Sequence, residues 1–400
     1  MIVEFTVCNY GPFRDPTTLS MEASALKDND DAVVCKDITR NGILTSVTIF
    51  GPNASGKSFL FKAFSAFISV IRKRRTPSEM ITPYNPFKAD KDSIGKPTTF
   101  RIKMLIDRVR YDYSISYTNE RIYSEELTSY PNNYPVELFK RKYGEKNQKL
   151  IEPEKLTDTT SYLLAASQYN DAECNKVLEK IMDIMVIGDI SIPIGQSLAI
   201  LDKEPELKPM LMDALDAADL GVTDIRLTKK KVQFNAADQE EPEERDIVDA
   251  RIMHRFERED GSSFDMILPL RDESNGTREM LSVMVPITKC LNSGGTIFID
   301  EFGSKLHHEL TKWIMNLFNS DLNRNDAQII VNTHDLGLMD IEEVQRRDQI
   351  LFTNRNRETG ASELYRLIDF RGITKKTKVL RDYLDGKYSA IPYTVRRDIL

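Results

Sequence analysis

Residues 51 to 58 read Gly51, Pro52, Asn53, Ala54, Ser55, Gly56, Lys57 and Ser58. This is the G-x-x-x-x-G-K-[ST] spacing of a phosphate-binding loop. Gly51 and Gly56 permit backbone angles that a side chain would block, so successive N–H groups can converge on phosphate oxygens. Lys57 would then sit on the β and γ phosphates, and Ser58 would place its hydroxyl on Mg²⁺. The β-branched run "SVTIF" before the loop reads as a strand. The apolar stretch after it reads as a helix, whose N-terminus adds partial positive charge beneath the phosphates.

A second set of chemistry-bearing residues lies far downstream. "GGTIFIDEFGSKLHH", residues 294 to 308, is an apolar strand ending in Asp300 and Glu301. Two adjacent carboxylates are costly on a buried strand unless a cation or water network receives them. Asp300 is expected to hold the Mg²⁺ shell together with Ser58, and Glu301 to orient and polarise an attacking water. The strand "AQIIVNTHD" ends at His334, at the carboxyl end where open α/β sheets place their ligands, within reach of a γ-phosphate. Upstream, Ser274, Asn275, Gly276 and Thr277 form a turn before the apolar helix "REMLSVMVPITKCL". Ser274 is a candidate N-cap there, and Gly276 lets the backbone approach an anion.

Three segments must position these groups. Residues 1–150 read as strands ("IVEFTV", "TTLSMEA", "SVTIF", "TTFRIKMLI", "VRYDYSISYT", "RIYSEELTSY") interrupted by one strong helix, "SFLFKAFSAFISVIRKRR". That helix is apolar on nearly all sides at its start, which predicts burial between two layers. Its end, Arg72 to Arg75, reads as a solvated basic terminus favoured by the helix dipole. Residues 151–270 turn helical in "SYLLAASQYNDAECNKVLEKIMDIM" and "KPMLMDALDAADLGV", with small strands "KKVQF" and "ARIMHRFER" around an acidic loop at 236 to 246. Residues 271–400 hold the Ser274 turn, the acidic strand, His334, two further strands and a basic tail. The fold class expected is α/β, with mixed sheets around the phosphate-loop helix and a helical lobe.

Composition sets the outer bounds. The 400 residues are 40% hydrophobic and 29% charged, with a net charge of -7, which describes an ordinary globular protein and argues against a uniformly basic DNA-wrapping surface. Cys8, Cys35, Cys174 and Cys290 are scattered without a C-x-x-C pair, so neither a zinc site nor a disulfide framework is indicated. The start alternates like a strand rather than a signal peptide, and Asp183 and Asp189 interrupt the nearest approach to a membrane span. A cytoplasmic protein is expected.

In the order phosphate loop, Ser-x-Gly-Thr helix start, acidic strand and strand-ending histidine, the chain resembles the ATP-binding cassette (ABC) superfamily. That resemblance implies a head-to-tail homodimer with two ATP molecules between the protomers, the Ser274–Thr277 signature turn of one meeting the γ-phosphate held by the other. "SNGTR" and "DEFGSKLHH" depart from the transporter sequences, with His307 where transporters usually have Asp, and look like the SMC, RecF and overcoming-lysogenization-defect (OLD) branch. "NYGPFRD", "IYSEELTSYPNNYPVELFKR", "SYLLAASQYND", "ESNGTREML", "IDEFGSKLHH", "VNTHD" and "YLDGKYSAIP" resemble the abortive-infection ATPases of the AbiLi and RloA kind, and the ATPase of the PARIS system.

The family resemblance implies ATP hydrolysis coupled to a separate effector, a nuclease or toxin, released when phage infection is sensed through DNA or a phage protein. Residues 335 to 400 are too few for a further nuclease domain of about 100 residues. The same resemblance makes Gln168 a candidate for the glutamine linking the γ-phosphate to the helical lobe, and draws in Ser304 and His307 beyond the acidic pair. Tyr10 and Phe13 are candidates to stack on adenine. The alternative is a RecF or SMC type of DNA-repair ATPase that binds DNA.

Overall fold

The computed structural model describes residues 1–145, 156–188, 194–218, 220–234 and 243–391. Its centre is the phosphate-loop helix, Lys57–Arg72, which buries Leu60, Phe61, Phe64, Phe67, Val70 and Ile71. The ring of Phe64 lies 4.4 Å from Phe5 on one side and 4.3 Å from Phe298 on the other. Phe5 belongs to one sheet and Phe298 to a second, so the helix is the filling between two layers, as its all-round apolar start predicts.

The first layer is an antiparallel sheet in the order Thr17–Ser20, Ile2–Cys8, Thr98–Ile106, Val109–Tyr117, Ile122–Tyr130, Val136–Lys142. Phe100, Ile102 and Met104 point to the helix side and are buried, while Arg101 between them pairs with Asp112 outside. This is the period-two pattern of a sheet with one covered face.

The second layer carries the site. Met185–Ile187, Thr296–Ile299, Gln328–Asn332, Ser46–Phe50 and Ile350–Arg355 run parallel in that order, and Ser362–Arg366 closes the edge antiparallel. Both faces are covered, hence the unbroken apolar runs. Phe298 and Ile330 face the phosphate-loop helix, whereas Ile297, Ile299, Ile329 and Val331 face the helix Asn275–Ser293. The sheet draws strands from all three sequence segments.

Pro286 sits inside the helix Asn275–Ser293 and cannot donate to the carbonyl four residues back. That carbonyl, of Ser282, accepts instead from the buried Ser197 hydroxyl at 2.9 Å. The donor comes from the helix Ile194–Lys203 of the lobe, so a lost intrahelical bond becomes a cross-link. The lobe is completed by the helix Lys208–Ala217 and a three-stranded antiparallel sheet, Val222–Phe234, Glu243–Glu257 and Ser263–Pro269.

Several local expectations change. The helical stretch 161 to 185 divides into Tyr162–Gln168 and Ala172–Met182, because Asp171 caps a new start by accepting from Cys174 N at 2.8 Å. Glu125, fully buried, accepts from Ser161 Oγ, Tyr162 N and Leu163 N, which ties "SEEL" to "SYLL" through one carboxylate. Of the basic helix end, Arg75 is buried. Its guanidinium donates to the carbonyls of Ser69, Val70 and Lys73, so it closes the helix C-terminus and is not a surface charge. The acidic loop is shorter than read, since a strand begins at Glu243, and residues 236 to 242 lie outside the described residues. The tail forms the helix Val379–Leu384, with 392–400 also outside. No described helix is long and apolar enough to cross a membrane.

Candidate active site

The phosphate loop joins the strand Ser46–Phe50 to its helix at the carboxyl edge of the parallel sheet. At Gly51 a Cβ would lie 2.5 Å from the Thr353 carbonyl oxygen on the neighbouring strand, and Gly56 has φ of 109°. Neither position accepts a side chain without moving the loop. Ser55 and Thr353 share a hydroxyl hydrogen bond that pins the loop to the sheet. Lys57 Nζ donates to the carbonyls of Gly51 at 2.6 Å and Pro52 at 3.1 Å. Burial lowers its pKa to about 8, against the opposing pull of Asp300 and Glu301.

The loop and the acidic pair meet directly. Ser58 Oγ donates to Asp300 Oδ1 at 3.0 Å, across 242 residues of sequence. Asp300 is buried, and the same carboxylate oxygen accepts from Asn332 Nδ2. Asn332 Oδ1 in turn accepts the backbone N–H of Glu301 at 2.8 Å, and its carbonyl accepts Phe302 N at 2.9 Å. These bonds hold Glu301 at φ of 52°, a left-handed conformation that non-glycine residues adopt only when their surroundings enforce it. The Glu301 side chain is exposed at the rim.

His334 follows the adjacent strand, two residues past Asn332, with an exposed ring. Its pKa is lowered, first by partial burial and then by the positive charge of Lys57, so the neutral imidazole is favoured beside the loop. Asn332 is the site residue that the sequence reading missed; its only signal was its place two residues before the histidine. The oxygen set of Ser58 and Asp300 fits a Mg²⁺ ion, a hard cation that takes oxygen ligands.

Ser274 caps the helix Asn275–Ser293, its Oγ accepting from Thr277 N at 3.0 Å and bonding Thr277 Oγ1 at 2.9 Å. Ser274, Asn275 and Gly276 are exposed and Thr277 is buried. The 19-residue helix rises ~28 Å and runs back along the four-residue strand Thr296–Ile299, which spans only ~13 Å. Its N-terminus therefore stands proud of the sheet's carboxyl edge, the Lys305–Glu279 ion pair marking where the helix passes the loop after Glu301. Ser274, Asn275 and Gly276 form an exposed turn at this end, with Asn275 Oδ1 accepting from Arg278 Nη2.

Other candidates fall elsewhere. Gln168 accepts from Arg74 Nη1 at 3.3 Å, beyond the C-terminal end of a helix ~24 Å long that begins at Lys57. It is a full helix length from the phosphate loop. The lobe rejoins the sheet instead through Met185–Ile187, whose Ile187 carbonyl accepts Asp300 N at 2.9 Å; the first glutamine after it is Gln196, exposed on the helix Ile194–Lys203. Tyr10 and Phe13 are core residues. Tyr10 packs 5.6 Å from Phe100, and Phe13 is fully buried behind Gly56, so neither offers a face to adenine. Ser304 N bonds the Glu301 carbonyl in the turn after the acidic pair. His307 caps the helix His308–Phe318, its Nδ1 accepting Glu309 N at 3.3 Å.

The fold is that of an ABC-type ATPase head. An SMC head bound to the C-terminal winged-helix domain of ScpA superposes with a TM-score of 0.50 at 13% identity, over 91% of this chain and 97% of that one. The SMC head domain from Thermotoga maritima aligns at 0.45 and 13% identity, over 91% of this chain and 98% of that one. The Pyrococcus furiosus Smc head bound to the C-terminal domain of ScpA aligns at 0.44 and 12% identity, over 91% and 95%. Among curated proteins, no sequence matches. A family profile described as "AAA domain, putative AbiEii toxin, Type IV TA system" matches residues 46–340, which run from the phosphate-loop strand past His334. The chain belongs to this family of P-loop ATPases.

Proposed function

We propose that the protein hydrolyses ATP at two composite sites of a head-to-tail homodimer, and that this cycle regulates a separate effector, a nuclease or toxin, in an anti-phage abortive-infection system. The observation that carries the catalytic part is the continuous chain Ser58, Asp300, Asn332, Glu301 at the carboxyl ends of adjacent strands. Lys57 binds the β and γ phosphates after leaving the Gly51 and Pro52 carbonyls, and the loop N–H groups cradle the rest. Ser58 and Asp300 would hold a Mg²⁺ ion, which would supply charge neutralisation at the phosphates. Glu301 takes a proton from the attacking water, while neutral His334 hydrogen-bonds the γ-phosphate. Ser274, Asn275, Gly276 and Thr277 of the second protomer close the site, a reading supported by the exposure of Ser274, Asn275 and Gly276 at the helix start. Gln196 links the lobe to the γ-phosphate.

The defence role and the AbiLi, RloA, PARIS and OLD affinity rest on the family profile, which names a toxin system, and on the quoted sequence stretches. Purification from the native host, with and without ATP, tests it. Recovery of one nucleotide-dependent partner that is toxic when expressed alone supports the reading. ATPase activity stimulated by DNA, with no such partner, favours instead a RecF or SMC type of repair ATPase, with which the SMC-like fold is compatible.

A further inference from the structure

His254 and Glu273 form a nearly buried pair immediately before the Ser274 cap. His254 Nε2 lies 2.8 Å from Glu273 Oε1, and its Nδ1 lies 3.1 Å from the Gly221 carbonyl oxygen. Their side chains are 11% and 4% exposed. Both ring nitrogens are thus engaged, one by a carboxylate oxygen and the other by a backbone carbonyl oxygen. His254 stands in the middle strand of the lobe's three-stranded sheet, Glu243–Glu257, opposite Met266. Gly221 precedes the first strand, and the third strand runs through Leu270–Asp272 into Glu273. One imidazole therefore fastens the start of the sheet, its centre and the residue that enters the signature turn. The Glu273 backbone is fixed as well, its N–H bonding the Leu270 carbonyl at 3.2 Å.

We infer that His254 and Glu273 are positioning residues for the trans signature: they set the direction in which Ser274 and Gly276 meet the partner's γ-phosphate, and couple that direction to the lobe sheet. The inference rests on the composite-site reading and adds to it a mechanical link outside the phosphate loop, acidic strand and histidine. Neither residue touches nucleotide. A shift of about 1 Å in an orienting group costs on the order of 10²-fold in rate, so loss of the link should appear in kcat while the protomer's own ATP binding is unchanged.

The test uses full-length His254→Phe and Glu273→Ala mixed with two reference variants, Lys57→Ala, which lacks phosphate binding, and Gly276→Asp, which lacks the signature. If the pair positions the signature, each variant alone binds ATP normally and turns over on the order of 10²-fold more slowly. Mixing with Lys57→Ala restores activity, and mixing with Gly276→Asp does not. The double variant is no slower than either single one, because both break the same link. Glu273→Gln, which keeps an acceptor oxygen for the ring, retains much of the activity. Restoration by both reference variants, by neither while subunit exchange is demonstrated, or a lowered ATP affinity in the isolated protomer each overturns the inference and leaves a merely structural pair. If Lys57→Ala and Gly276→Asp fail to restore one another, the composite-site reading itself fails and the positioning role falls with it.

Discussion

Asn332 donates its side-chain amide to the Asp300 carboxylate and accepts the backbone N–H of Glu301 on its oxygen. One buried residue thus orients the carboxylate of the proposed metal ligand and fixes the backbone of the proposed base. Replacing it with Leu leaves that N–H and one carboxylate lone pair without partners in a buried place, which costs about 1–3 kcal/mol of stability. Asn332→Leu should unfold at lower denaturant concentration and lose hydrolysis. Asn332→Asp keeps the acceptor for Glu301 but sets a second carboxylate against Asp300. Its hydrolysis should fall by about 10- to 100-fold, and more Mg²⁺ should be needed for half-maximal rate. An unchanged Mg²⁺ dependence would show that Asp300 does not depend on this bond.

Glu301→Gln should bind ATP and hydrolyse it very slowly, since the amide packs in the same place but cannot take a proton from water. Light scattering should then show an ATP-dependent mass twice that of the protomer, with ATP rather than ADP recovered from it. Near-wild-type turnover would remove Glu301 from the role of base.

ATP affinity should depend on pH through Lys57. Burial holds its pKa at about 8, below that of the unfolded chain, so the empty folded loop releases the proton first. A triphosphate beside it favours the ammonium form, so binding above about pH 8 must take a proton up. Affinity should be flat in the acid direction and fall, by at most about tenfold per pH unit, as the pH rises through about 8. Lys57→Arg keeps its charge throughout and should bind with a flat profile over the same range. A wild-type profile equally flat would place the lysine's charge outside the binding step.

The two glutamines separate by position. Gln196→Ala should slow hydrolysis with little change in ATP affinity, because the residue follows the strand that borders Asp300. Gln168→Ala should change neither, since its partner is Arg74 at the far end of the phosphate-loop helix. Steady-state rates on the two variants decide this, and a defect confined to Gln168→Ala would reverse the assignment.

Much of this arrangement was legible in the sequence where a residue type is tied to one backbone geometry. The loop glycines, the apolar helix with Phe61, Phe64 and Phe67, and the strands ending at Asp300 and His334 are local signals with long apolar or motif context. What escaped depends on tertiary pairing. Met185–Ile187 is three residues long and follows a helical pattern, so nothing local marks it as the strand beside Thr296–Ile299. The family resemblance points to Gln168, and only the sheet order shows that the lobe joins the site elsewhere. Arg75 reads as a surface cation until its helix turns out to end three residues earlier. Asn332 carries no motif of its own, because its task is defined by two residues on another strand.

If each ATP site is shared between two protomers, Lys57→Ala and Gly276→Asp should complement one another when mixed. Each variant alone should be inactive, the first lacking phosphate binding and the second setting a carboxylate against the partner's γ-phosphate. A mixed dimer has one site with both defects and one with neither, so random exchange leaves roughly a quarter of all sites intact. ATPase activity of the mixture should rise clearly above the sum of the two variants measured separately. Activity that stays at that sum, with exchange demonstrated by differently tagged subunits and with wild type not poisoned by Lys57→Ala, would contradict a shared site.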